Sequence, residues 1–137
     1  KTYEKLVSRN NIKLNFHKVD NFRIIGDRDK LIEIFTNLID NAIKYSDKNK
    51  EVSITFKKEG DLNIVSVSDQ GIGIPKESIH RITERFFTVD PSKSRSVGGT
   101  GLGLAIVKHL VSQHRAEMDI NSVENQGTTI DIKFNAL

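Results

Sequence analysis

Residues 27–45, DRDKLIEIFTNLIDNAIKY, repeat their apolar side chains at helical spacing. Leu31, Ile34, Phe35, Leu38, Ala42 and Tyr45 fall on one side of a helix, which a second layer must cover. Glu33, Asn37, Asp40, Asn41 and Lys44 gather in a polar stripe opposite. A solvated face is the ordinary meaning of such a stripe. The choice of residues argues against it here. Asparagine costs roughly 0.5 kcal/mol or more relative to alanine inside a helix, and Glu, Lys or Gln would serve a solvated face better. Asn37 and Asn41 at i and i+4, followed by Lys44, set two neutral amide oxygens and an ammonium group side by side on a rigid rod.

A chain of 137 residues is long enough for one domain with a real core. The absence of cysteine excludes a disulfide framework, a thiolate nucleophile and a thiolate metal site. No apolar run approaches the roughly 18 residues of a membrane span, and there is no signal-peptide pattern. Because the chain opens at Lys1 without methionine, a fragment of a longer protein is expected. The net charge of +3 raises the question of nucleic acid. Lys and Arg are scattered, however, with no basic block interleaved with aromatics, so no nucleic-acid partner is expected.

Along the chain, residues 2–9 read as the end of a helix, and Ile12, Leu14 and Phe16 alternate with polar neighbours as a half-buried strand. A second, short strand is expected at 22–25, after which Asp27 can N-cap the helix of 27–45. After a polar loop at 46–50, Val52, Ile54 and Phe56 alternate in a strand. The turn 59–61 returns the chain through Leu62, Ile64, Val65 and Val67 to Asp69. Helices are expected at 76–87 and 101–114, with a loop at 89–100 between them, and strands at 117–123 and 128–134 close the chain. The expected fold is α+β: a single two-layer α/β sandwich over 1–137, with a mixed, mostly antiparallel sheet covered on one face by helices.

Separated segments have the makings of one site. DQGIGIP, residues 69–75, ends a strand with a carboxylate and then offers Gly71 and Gly73, which permit close approach of a flat ligand. A carboxylate accepts only, so it suits an exocyclic amine such as that of adenine and opposes the carbonyl of guanine. Taken alone, the motif is explained equally well as a plain turn. GGTGLGL, residues 98–104, crowds glycines at a helix start, where free N–H groups and the helix dipole favour a phosphate. It is neither a Walker A motif nor a Rossmann fingerprint, since no Gly-Lys-Ser/Thr follows and no strand precedes. The two asparagines can serve as oxygen ligands of a Mg²⁺ that also takes oxygens from nucleotide phosphates.

NLIDNAIKYS (37–46), DQGIGIP (69–75), ERFF (84–87), GGTGLGLAIVKH (98–109) and GTT (127–129) follow the order of the N, G1, F, G2 and G3 boxes. The chain thereby resembles the catalytic ATP-binding domain of a bacterial two-component sensor histidine kinase, in the superfamily of gyrase B, Hsp90 and MutL. The wording ITERFF and GLGLAIVKH is similar to that of phosphate-starvation sensors. The resemblance implies a Bergerat-type fold that binds Mg²⁺ and ATP. By that resemblance Asn41 is the main Mg²⁺ ligand with Asn37 beside it, Lys44 touches phosphate, and Tyr45 and Ile74 pack near the adenine. Asp69 accepts from the adenine amine, Gly71 and Gly73 belong to the loop that admits the base, and Thr128 supports the contact, partly through water. Gly99, Gly101, Leu102 and Gly103 hold the phosphates through backbone N–H groups, and Phe86 and Phe87 anchor a lid over 88–100.

The same resemblance implies the partners: a dimerisation and histidine-phosphotransfer domain of the parent, and a cognate response regulator. It further implies a cytoplasmic domain whose parent is a homodimer in the bacterial inner membrane. Thr88 stands where many members carry Arg or Lys for the γ-phosphate, and Lys93 or Arg95 are the candidate substitutes. Ile130 occupies an often aromatic place, and Arg115-Ala116 replace a helix-ending glycine pair, so another cap is expected there. None of His17, His80, His109 and His114 has the context of a phosphoacceptor. The alternatives are a nucleotide-sensing interaction module without kinase activity and an anti-sigma-factor-type serine kinase.

Overall fold

The computed structural model describes residues 13–17, 24–45, 51–74, 76–81 and 103–135. In chain order these form β1 (Lys13–His17), α1 (Arg28–Tyr45), β2 (Glu51–Glu59), β3 (Leu62–Asp69), a 3₁₀ helix (Lys76–Arg81), α2 (Gly103–Gln113), β4 (Glu117–Val123) and β5 (Gly127–Asn135). The sheet runs β1-β2-β3-β5-β4, with β1 parallel to β2 and every other pair antiparallel. The mixed, mostly antiparallel sheet of the sequence reading is therefore present.

Strand register sorts the side chains into two faces. Ile54, Val67, Ile130 and Ile120 lie in one row across β2, β3, β5 and β4, and Phe56, Val65, Ile132 and Met118 in the next. Both rows face the helices: Ile34, Leu38, Ala42 and Ile43 of α1 and Leu104, Val107, Leu110 and Val111 of α2 join them in one core cluster. Burying each large aliphatic side chain contributes about 1.5–3 kcal/mol, so this cluster is the main source of stability. The opposite face carries Ser66, Ser68, Thr129, Asp131 and Lys133, with a Lys133–Asp119 ion pair at 2.6 Å. Alternation of apolar and polar residues along each strand produces this division.

Local signals place the helix ends. Lys30 N–H donates to Asp27 Oδ1 at 3.1 Å, the N-cap expected for α1. Asp27 N–H in turn donates to His114 Nε2 at 3.1 Å, while His114 Nδ1 lies 2.8 Å from Leu110 O. A carbonyl only accepts, so the proton of this imidazole sits on Nδ1 and Nε2 receives Asp27. The start of α1 is thus pinned to the end of α2, and a Cβ on Gly26 would come within 2.5 Å of the same ring.

Some expectations are corrected. Ile24 and Ile25 form no strand; they precede the bend at Gly26, and Ile25 is exposed. The helix expected over 76–87 is a 3₁₀ helix over Lys76–Arg81, and the rest of that span lies outside the described residues. So do the expected helix at 2–9, the loop at 46–50 and the loop at 89–100.

α2 ends in a Schellman motif. Ala116 N–H donates to Val111 O at 3.2 Å and Arg115 N–H to Ser112 O at 3.0 Å. Arg115 adopts φ 54°, the left-handed conformation usually given to glycine at this position. Replacing Arg115 by glycine is expected to stabilise the chain by about 0.5–1 kcal/mol, or about 2–5 °C in thermal midpoint. Arg115→Val should lower it. An unchanged midpoint in both would show that the left-handed turn carries no strain.

Candidate functional site

The apolar face of the sheet ends in a polar row. Val52 pairs with Asp69, the register of β3 on β5 (Ser68 with Thr129) continues to Asp69 beside Thr128, and Thr128 pairs with Ser122. Directly opposed residues share a face, so Asp69, Thr128 and Ser122 extend the core rows on the side the helices cover. Burial of a carboxylate at such a place is costly unless it is hydrogen-bonded.

Asp69 is held by backbone donors. Gly71 N–H donates to its Oδ1 at 2.9 Å and Thr128 N–H to the same oxygen at 3.2 Å. Neither bond uses Oδ2, which has no donor among the described residues. Desolvation pushes the carboxyl up to about 6, against the lowering effect of the two N–H groups. Asp69 is therefore a pre-positioned acceptor that is ionised above about pH 6.

The loop 70–74 docks on the turn between β4 and β5. Asn125 N–H donates to Ile72 O at 2.7 Å, Ile74 N–H to Ser122 Oγ at 2.7 Å, and Glu51 N–H to Gln70 Oε1 at 2.9 Å. Two glycines make the approach possible. Gly73 has φ 69°, and a Cβ there would meet Val123 O at 2.2 Å; Gly127 has φ 137°, and its Cβ would meet Asp69 O at 2.1 Å. Any side chain at either position would push the loop off the hairpin. Ile74 is buried behind this contact.

On α1, Asn37 and Asn41 are half-buried while Glu33 is exposed, so the stripe is not uniformly solvated. Lys44 and Tyr45 belong to the last turn of α1, and Gly103 opens α2. Lys93, Arg95, Gly99, Gly101 and Leu102 lie outside the described residues. His109 is exposed and His114 packs at the α1–α2 junction. An open groove of about 480 Å³, lined by Ile24, Leu31, Ile32, Phe35 and Ile39 among others, runs along a different side of α1. At 100° per residue, Ile32 and Ile39 stand roughly 140–180° from the asparagines, so this apolar groove is separate from the polar stripe.

No set of three His, Cys, Asp or Glu among the described residues could hold a metal ion. The amide oxygens of Asn37 and Asn41 remain the candidate ligands. Ser122, Gly127 and Gln70 were missed by sequence reasoning. Gln70 and Gly127 left a trace there, inside the DQGIGIP and GTT boxes, and Ser122 left none.

Residues 26–136 match the family model described as histidine kinase-, DNA gyrase B-, and HSP90-like ATPase. The chain is 43% identical over 113 residues to the sensor-like histidine kinase SenX3 of Mycolicibacterium smegmatis, covering 82% of this chain and 29% of that protein. It is 42% identical over 109 residues to the phosphate regulon sensor protein PhoR of Pseudomonas aeruginosa, covering 80% of this chain and 25% of that protein. The chain thus spans less than a third of the length of these relatives. Among solved structures, a mycobacterial sensor histidine kinase, MprB, superimposes with a TM-score of 0.81 at 29% identity, covering 98% of this chain and 90% of that one. With the five ordered boxes and a fold shared over nearly its whole length, this chain belongs to the histidine kinase-, DNA gyrase B- and HSP90-like ATPase family, on its sensor histidine kinase branch.

Proposed function

We propose that the chain binds Mg·ATP and, within a longer parent, presents the γ-phosphate to a histidine on a separate dimerisation domain in two-component signal transduction. The observation that carries this reading is Asp69, a carboxylate fixed through Oδ1 with Oδ2 left for a ligand. An ionised carboxylate matches the C6 amine of adenine. Ile74 and Tyr45 pack on the base, Gly71 and Gly73 shape the loop beside it, and Thr128 supports the amine contact. Lys44 and the N–H groups of Gly99, Gly101, Leu102 and Gly103 take the phosphates, in keeping with a helix start at Gly103. Asn41 and Asn37 would hold Mg²⁺, which supplies charge neutralisation on the phosphate oxygens. Lys93 or Arg95 would meet the γ-phosphate.

Phosphoryl transfer asks mainly for positioning and charge stabilisation, so no general base is required of this chain. A dimerisation and phosphotransfer domain and a response regulator are the proposed partners, and the cytoplasmic side of a bacterial inner membrane the proposed setting of a homodimeric parent. Among the described residues no helix is long and apolar enough to cross a membrane. Thr88 favours a second reading, a nucleotide-sensing module without kinase activity. Attaching a helical hairpin with an acceptor histidine and following label from γ-labelled ATP separates the two, because tight binding without transfer selects the second.

Calorimetric titration with Mg·ATP should show Asn41→Asp and Asp69→Ala each weakening binding by about tenfold or more. Unchanged affinity in both would sink the site assignment. Asp69→Asn tests the carboxylate from another side. Its folded value of about 6 lies above the ordinary 3.8, so the stability this group contributes is full below about pH 4 and is lost as pH rises through 6. Two units correspond to about 3 kcal/mol, reduced because the residue is only half-buried. Asparagine keeps the Oδ1 acceptor, so Asp69→Asn is expected to gain about 1–2 kcal/mol in denaturant unfolding at pH 7.5, with no gain at pH 4, while losing ATP. A variant less stable than the parent at pH 7.5 would show that the buried charge is no burden.

A further inference from the structure

We infer that Ser122 fixes Thr128 as a hydrogen-bond acceptor and so selects a base bearing an amine over one bearing a carbonyl at the same position; this rests on the nucleotide reading above. Ser122 Oγ lies 2.7 Å from Ile74 N, 3.0 Å from Gly127 O and 2.8 Å from Thr128 Oγ1. A serine hydroxyl has one proton and two lone pairs. The Ile74 N–H can only donate, and it occupies one lone pair. The Gly127 carbonyl can only accept, so it takes the serine proton; without a proton between them, two oxygens 3.0 Å apart would repel. One lone pair then remains for Thr128, whose O–H must donate to Ser122.

With its proton committed, Thr128 Oγ1 offers a ligand lone pairs alone. It stands in the sheet row next to Asp69, whose Thr128 N–H bond leaves Oδ2 as a second acceptor. Two neighbouring acceptors match the two protons of an exocyclic –NH₂ in direct contact with them. A carbonyl oxygen at that place would meet lone pair against lone pair. Asp69 makes the direct contact in this scheme, and Ser122 is a positioning residue acting through Thr128. The same hydroxyl also ties Ile74, on the loop proposed to pack against the base, to the strand that carries it.

Adenosine and inosine diphosphates differ at the purine C6 group and in the N1 proton that accompanies it, and so report the preference. Titration of each, with Mg²⁺, into the parent chain, Ser122→Ala, Ser122→Thr and Thr128→Val gives the ratio of the two affinities. Ser122→Ala frees the Thr128 proton to face the ligand, and Thr128→Val removes the acceptor. Both are expected to shrink the adenosine-to-inosine ratio by about tenfold, whereas Ser122→Thr, which keeps the hydroxyl, retains most of it. If Ser122→Ala fails to fold, Ser122→Cys, whose thiol is a weak donor and acceptor, carries the test, while Thr128→Val reports on the acceptor alone. A ratio unchanged in the variants, with both affinities lowered equally or not at all, overturns the role of Ser122 while leaving the nucleotide reading intact. Failure of the parent chain to bind either diphosphate overturns the nucleotide reading itself.

Discussion

One carboxylate oxygen, Asp69 Oδ1, receives N–H groups from positions two residues and fifty-nine residues further along the chain. Through it the loop after β3 and the first residues of β5 share an anchor, and the rest of the site is arranged around that sharing. The anchor sits where desolvation raises the carboxyl to about 6, so the fold tolerates a charge it would be more stable without. Two backbone donors lessen that cost but do not cancel it. A group retained under such conditions, with its second oxygen unengaged by the described residues, fits a binding role better than a structural one. A neutral amide could accept the same two bonds.

The place of the anchor follows from the sheet. Its helix-covered face is built of aliphatic rows, and the row that ends it changes from Val52 to Asp69, Thr128 and Ser122. A flat, mostly apolar ring with one polar edge is the kind of ligand that such a boundary suits, because it can lie against the core while its edge reaches the polar row. The helices are held for the same purpose. The Asp27–His114 bond joins the start of α1 to the end of α2, and the Phe35 and Phe134 rings, 6.3 Å between centroids, pack α1 on β5. A rigid rod keeps Asn37 and Asn41 at a set position relative to the sheet.

Much of this was legible in the residues. The helical spacing of 27–45, the Asp27 cap, the turn at 59–61 and the alternation in β2 and β5 all express local rules, and each reappears within a residue or two of its expected bounds. Where the outcome depends on partners distant in the chain, local rules fall silent. Ile24 and Ile25 have the apolar character of a strand yet form none, and the parallel seat of β1 on β2 has no local signature. Arg115 is an unexpected residue for a left-handed turn, though the sequence already marked that turn as lacking its usual glycines. Within the candidate site, Asp69 was singled out because its chemistry is visible in its own motif. Ser122 was not, because a serine near the end of a strand acquires meaning only through the register that sets it opposite Thr128.

Donor and acceptor roles connect these levels. A loop placed by glycine backbone alone could shift, since glycine resists little. Here Gly73 and Gly127 open the space, and directed bonds from Asn125, Ile74 and Thr128 then allow one arrangement within it. Each bond has a fixed polarity: N–H groups donate, carbonyls and the ionised carboxylate accept, and the hydroxyls of Ser122 and Thr128 must take whatever roles remain. Polarity is therefore transmitted from the backbone of the hairpin outward to the atoms proposed to face a ligand. In such a network, the proposed selectivity for an amine depends on the β4–β5 register as much as on any side chain in contact, because a one-residue slip would turn Ser122 to the opposite face together with Met118 and Ile120.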